Sequence, residues 1–120
     1  MYEVKFYRDK NGKSEIVEHL DELKEKGKTS KNERVNRDKI LAYIGALEQY
    51  GTRIGQTIVK HIDGNLWELR PLANRICFFY WKDNKFVLLH HFIKKTRKTP
   101  PLEIEQARAK LKDFIERHGE

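Results

Sequence analysis

A chain of 120 residues is long enough for one domain with one modest hydrophobic core. Thirteen Trp, Tyr and Phe residues, with hydrophobic side chains at 38%, exclude a disordered chain, which is poor in aromatics. The 25 Lys and Arg outnumber 18 Asp and Glu, for a net charge of +7. That excess suits a polyanionic partner, because neutralising phosphates dominates nucleic-acid affinity; it also suits a merely well-solvated surface.

The single cysteine, Cys77, excludes an intramolecular disulfide and points to a reducing, cytoplasmic setting. It lies in the apolar run Ile76-Cys77-Phe78-Phe79-Tyr80 and reads as packing in preference to a nucleophile. The first residues alternate instead of forming the apolar region of a secretory signal, and the longest apolar stretches are too short to span a bilayer. No membrane association is expected.

In chain order, residues 2–7 alternate as a strand, with Tyr2, Val4 and Phe6 on one side, and Asp9-Lys10-Asn11-Gly12 makes a turn. Ser14 caps a helix running to Lys26, striped by Ile16, Leu20 and Leu23 and stopped by Gly27. A polar loop over residues 28–32 precedes a second helix over 33–50, with Ile40, Ile44 and Leu47 on its buried face and Gly51 ending it. The cations of these helices (Lys24, Lys26, Lys28, Lys31, Arg34, Arg37 and Lys39) are read as a solvated surface in preference to an RNA contact.

From residue 57 the period becomes that of a sheet. Residues 57–62 and 66–70 form strands joined at Asp63-Gly64, and 71–74 connect to a strand over 75–82. Asp83-Asn84 then turns into a last strand over 85–94, whose Phe86-Val87-Leu88-Leu89 is apolar on both faces and so belongs inside the sheet. Pro100 and Pro101 open a third helix striped by Ile104, Ala107, Leu111 and Ile115. The expected fold is α+β, order β-α-α-β-β-β-β-α, a small antiparallel sheet with helices packed against it, and residues 1–120 form one domain.

No zincin, zinc-finger or CxxC spacing and no phosphate-binding glycine loop is present, so neither a metal nor a cofactor is expected. What remains is a cluster of Lys, Arg and His on neighbouring strands. Lys60 and His61 end one strand; Glu68 and Arg70 share a face on the next; Arg75 begins another; His90, His91, Lys94 and Lys95 close the last. Cleaving RNA through its 2′-hydroxyl requires a base for that proton, cations for the phosphorane and an acid for the leaving 5′-oxygen. Arginine suits the phosphate because its fork donates two hydrogen bonds, and Lys or His moves protons once its neighbours tune it. The same residues could instead blunt sheet edges or form a cross-strand ion pair. Alternation puts His90 on the face of Lys94, toward the site, and His91 on the opposite face with Val87 and Leu89.

The segment Leu66-Trp67-Glu68-Leu69-Arg70-Pro71-Leu72 with Asn74-Arg75-Ile76 resembles the signature of the phage-derived, HigB-like branch of the RelE/ParE toxin superfamily. The resemblance continues in Tyr50-Gly51-Thr52-Arg53, Val59-Lys60-His61, Leu88-Leu89-His90-His91-Phe92-Ile93-Lys94-Lys95-Thr96, Lys98-Thr99-Pro100 and Ile104-Glu105-Gln106-Ala107, covering nearly the whole chain. It implies the toxin of a type II toxin–antitoxin pair, a RelE-like fold, cleavage of mRNA on the ribosome, and silencing by a cognate antitoxin of the helix-turn-helix HigA-like kind. It also implies a phosphate-stabilising role for Arg75, and site cations at Lys60, Lys94 and Lys95. The expected catalytic set is therefore Lys60, Arg70, Arg75, His90, Lys94 and Lys95, with Arg53, Glu68, Thr96, Arg97 and Lys98 contacting RNA. Lys60 or His90 would be the base, Lys94 or Lys95 the acid, and Glu68 would orient Arg70. Two other readings stay open: a ParE-like inhibitor of DNA gyrase and a non-catalytic nucleic-acid-binding module.

Overall fold

The computed structural model describes residues 1–120. Its elements are β1 (Glu3–Phe6), α1 (Glu15–Lys26), α2 (Lys31–Tyr50), a 3-10 turn (Gly51–Ile54), β2 (Val59–Asp63), β3 (Leu66–Leu69), β4 (Asn74–Tyr80), β5 (Lys85–Ile93) and α3 (Pro101–His118). The five strands form one sheet in the order β1-β5-β4-β3-β2.

Residues 59–93 form an antiparallel meander, with tight turns joining β2 to β3 and β4 to β5 and the four residues 70–73 joining β3 to β4. The Asp83-Asn84 turn has φ of 51° and 59°, the paired left-handed conformation that matches the twist of a tight hairpin. The β1 strand departs from an all-antiparallel sheet. It lies parallel to β5, with Val4 opposite Phe86 and Phe6 opposite Leu88, so the sheet is mixed. Alternation specifies which side chains face the core and says nothing of a partner's direction. Flanked by β1 and β4, β5 is interior, as its apolar run requires.

Helices cover both faces. On one, α1 and α2 bury Ile16, Leu20, Leu23, Ile40, Ile44 and Leu47 against Leu69, Ile76, Phe78, Phe86 and Leu88. On the other, α3 buries Ala107 and Phe114 against Leu66, Cys77, Phe79, Val87 and Leu89. The expected α3 stripe of Ile104, Leu111 and Ile115 flanks this contact half-buried, and Phe114 lies at its centre. The first two helices start at side-chain caps. The Ser14 hydroxyl accepts from the Val17 amide at 3.2 Å, and Ser30 from the Glu33 amide at 3.4 Å. The second cap starts α2 two residues earlier than its apolar period indicates.

One irregularity matters for the site. In the β4–β5 ladder Cys77 pairs with His90 but Phe78 pairs with Leu88, so Leu89 is an extra residue. Leu89 and His90 consequently both face α3, and His91 falls on the face of α1. The two histidines are on opposite faces as alternation demands, but His91 does not share the face of Val87 and Leu89.

Two glycines separate backbone need from helix propensity. Gly51 ends α2 at φ 65°, and a Cβ there would come within 2.8 Å of the Tyr2 ring. Gly45 is inside α2 with nothing within 4 Å of a built Cβ. We expect Gly45→Ala to stabilise the protein by about 0.5–1 kcal/mol and Gly51→Ala to destabilise it by at least ~1 kcal/mol. Urea unfolding of both variants, monitored by circular dichroism, checks the opposite signs.

Candidate active site

At the end of the sheet where β3 leaves and β4 begins, a buried carboxylate organises the cations. Glu68, only 4% exposed, lies on the α3 face opposite Cys77 on β4 and Lys60 on β2. Its Oε2 accepts from the Thr99 hydroxyl at 2.7 Å. Its Oε1 lies 3.5 Å from Arg75 Nε and 3.7 Å from Arg70 Nε. A buried carboxylate requires such partners, because losing hydration without compensation is costly.

The two arginines differ in freedom. Arg75 is buried, and its Nη1 donates to the carbonyls of Leu72 at 2.8 Å and Asn74 at 2.7 Å. Burial, and then the charge of Arg70, push its pKa below the ordinary arginine value, with Glu68 opposing. Leu72 has φ 58°, uncommon for a leucine, so Arg75 clasps a strained connection. Arg70 is a quarter exposed and donates through Nη1 to Gln56 at 3.2 Å, while its Nε is enclosed without a hydrogen-bond partner. Arg70 thus keeps donors for a ligand that Arg75 spends on its own backbone.

Lys60 is exposed across the ladder from Glu68. Beyond β5, Lys94, Lys95, Thr96, Arg97 and Lys98 form an exposed loop. The loop is fastened at both ends: the Lys94 amide donates to Ala73 at 2.8 Å, and Thr99 holds Glu68. Within it Thr96 donates to the Lys98 carbonyl at 2.7 Å. The structure therefore gathers Lys60, Glu68, Arg70, Arg75 and the basic loop. Arg53 is elsewhere, in a depression with Met1, Tyr2 and Asn84, beside the start of β5 instead of its end. A run of sequence adjacent to a motif carries no information about which end of the sheet it reaches.

His90 faces the α3 side, yet it is 4% exposed beneath that helix and both ring nitrogens are engaged. Lys110 Nζ is 2.8 Å from Nδ1, and Glu103 Oε1 is 2.7 Å from Nε2. An ammonium can only donate, so Nδ1 accepts and Nε2 carries the hydrogen given to Glu103. Lys110 also donates to Glu15 at 3.0 Å. Burial works to raise the Glu15 carboxyl, but the Lys110 hydrogen bond and charge, with His90 and His91, hold it below the usual carboxylate range. This geometry makes His90 a tie between β5, α1 and α3, not an open base.

On the other face His91 is 3.0 Å from Asn74 Oδ1 and stacks on His19 with ring centroids 4.2 Å apart. Asn74 in turn donates to Asn36 Oδ1 on α2 and to the Pro71 carbonyl, both at 3.1 Å, fastening the connection from behind. Cys77 is fully buried, and burial pushes its thiol up to about 12, which leaves it an inert packing group.

Sequence reasoning misses Thr99, Glu103, Lys110 and Asn74. Glu103 and Lys110 are visible in principle. They interrupt the helical face 103-107-110-114, and two polar residues of opposite sign on a buried stripe signal a buried partner. Thr99 and Asn74 have no comparable signature. No three His, Cys, Asp or Glu side chains come together as a metal-binding group.

The α+β architecture, a five-stranded mixed sheet with three helices, is consistent with a small RelE-like fold. Residues 18–112 match the family described as Phage derived protein Gp49-like (DUF891). The chain belongs to that family, which lies within the RelE/ParE-like toxins. No curated protein matches it. No helix is long and apolar enough to cross a membrane.

Burial, together with the positive groups around it, lowers the His91 pKa from 6.5 to about 4. The unfolded chain therefore takes up a proton between those values that the folded chain refuses, and stability falls as pH drops through this window. We expect His91→Gln, which keeps a donor for Asn74, to flatten that part of the profile. Urea midpoints at pH values spanning the window measure it, and an unchanged pH dependence would contradict the assignment.

Proposed function

We propose that this protein is the toxin of a type II toxin–antitoxin pair, on the HigB-like branch, and cleaves mRNA on the ribosome. The convergence of Lys60, Arg70 and Arg75 with the Lys94–Lys98 loop around the buried Glu68 carries the reading. Arg70, backed by Arg75, grips the scissile phosphate and stabilises the charge that builds on the phosphorane. In its unprotonated form the Lys60 amine takes the 2′-hydroxyl proton and becomes the ammonium, the 2′-oxygen attacks phosphorus, and the bond to the 5′-oxygen breaks, leaving a 2′,3′-cyclic phosphate. Lys94 or Lys95 returns a proton to that leaving oxygen. Lys60 is favoured over His90 as base because His90 is enclosed and doubly engaged. Thr96, Arg97 and Lys98 contact the strand on either side, and Glu68 positions both arginines.

This reading calls on no metal, since the arginines carry the charge stabilisation and the lysines the proton transfers. The cytoplasm is the setting, and a helix-turn-helix HigA-like antitoxin is the partner the family resemblance suggests. The competing ParE-like reading, inhibition of gyrase, would make the same cations a docking patch.

The test is primer extension on mRNA after brief induction without antitoxin, paired with cleavage by purified protein on programmed ribosomes. New 5′ ends within coding regions are expected, whereas DNA breaks with intact mRNA would favour the gyrase reading. Arg70→Ala should lower cleavage by about 10²-fold or more, the usual scale for losing a preorganised donor, with little change in melting temperature. Arg75→Ala should cost both activity and stability, because it frees Leu72 and deprives the buried Glu68 of a cation.

A further inference from the structure

The helical hairpin carries a second cationic feature, on the face of the sheet opposite the proposed cleavage site. Between the last turn of α1 and the first turns of α2 is a depression of about 270 Å³ lined by Leu23, Lys24, Gly27, Lys28, Arg34, Arg37 and Asp38. Four cations thus face one carboxylate. Lys26 and Lys28 are paired with Glu22 and Glu25, but Lys24, Arg34 and Arg37 form no ion pair. Gly27 lets the helices close on one another: a Cβ there would lie 2.9 Å from Arg34 Cγ, and Arg34 Nη1 donates to the Gly27 carbonyl at 2.6 Å. Arg34 is thereby fixed across the end of α1.

Arg37 is the informative member. Its Nε is enclosed with no hydrogen-bond partner, and no protein acceptor takes any of its other donors. A buried Nε donor without an acceptor is unfavourable for the free protein, and an anionic oxygen is the ligand that the fork of this half-buried guanidinium fits. The neighbouring residue, Asn36, accepts the hydrogen bond from Asn74 at 3.1 Å, and Asn74 directly precedes Arg75. The second turn of α2 therefore abuts the strand end that carries the proposed site.

We propose that this hairpin groove is a second RNA-backbone site, in which Arg37, Arg34 and Lys24 hold phosphates of the strand whose neighbouring segment enters the site at Arg70 and Arg75. The proposal rests on the nuclease reading only in taking RNA as the ligand. Phosphate is favoured over carboxylate because three unpaired cations in one short groove match a chain that carries a charge on every nucleotide.

The experiment measures fluorescence anisotropy of a labelled oligouridylate bound to the full chain in an Arg70→Ala background, where cutting of the strand is slowed. Adding Arg37→Gln and Lys24→Gln should weaken binding about tenfold and lower the slope of log affinity against log salt by about 0.7 for each phosphate no longer neutralised. Lys24 is exposed, so Lys24→Gln alone keeps the fold and should lower the slope by one such step. Unchanged affinity and slope in both variants would overturn the proposal. So would variants that keep RNA affinity while losing that for polyglutamate, since the groove would then serve an acidic protein segment. Loss of RNA binding in the groove variants supports the site even if cleavage on ribosomes is never found, so the two readings fail separately.

Discussion

The arrangement at the β3–β4 end depends on one buried carboxylate. Glu68 has given up its hydration, and a carboxylate in that state is tolerable only if its oxygens are satisfied. Three groups from three parts of the chain meet the requirement: Arg75 from β4, Arg70 from the end of β3, and Thr99 from the segment before α3. Because all three converge on it, the carboxylate ties together two guanidinium groups and the far end of a basic loop at once. An ion pair of this kind adds little net stability over a well-packed apolar substitute, so its value is in specifying geometry.

A second buried set, on the same face, fixes α3. His90 could not reach Glu103 and Lys110 if β5 were a regular strand, since alternation would then put it on the α1 face with Phe86 and Leu88. The extra residue at Leu89 turns His90 toward α3 and sends His91 to Asn74 and His19. One bulge thereby supplies two polar anchors on opposite faces. Both act on the same region, because the His90 set holds the start of α3, which Thr99 precedes, and the His91 set holds the Pro71–Ala73 connection through Asn74.

Much of this is legible in the residues. Period, caps and turn dipeptides place every strand and helix within a few residues, and the shared parity of Glu68 and Arg70, with Arg75 opening the next strand, marks the cationic cluster. The parallel pairing of β1 is not legible, since alternation is blind to strand direction. The role of His90 escapes for a related reason. Its shared parity with Lys94 aims it at the site, but nothing in the residues marks the bulge at Leu89 that sets its actual face, or the helix that covers it. A solvated surface describes Lys26 and Lys28, paired with glutamates one turn away. It does not describe Arg37, whose environment only packing reveals.

The contrast between Arg75 and Arg70 shows how such a surface can be rigid and still bind. Arg75 spends its donors on the carbonyls of Leu72 and Asn74, and the first of these belongs to a leucine held in a conformation it would otherwise avoid. Its charge stays fixed beside the carboxylate and needs no reorganisation when an anion arrives, which is the condition under which electrostatic stabilisation is most effective. Arg70 has one carbonyl contact and an unsatisfied Nε, so it has directional capacity left for a ligand. If both arginines were free, their mutual repulsion would spread them; if both were locked, neither could close on a phosphate. Anchoring one and leaving the other incompletely bonded places two positive charges together while leaving hydrogen bonds that an anion would take, and Glu68 makes that division possible by neutralising enough of the pair to keep it assembled without one.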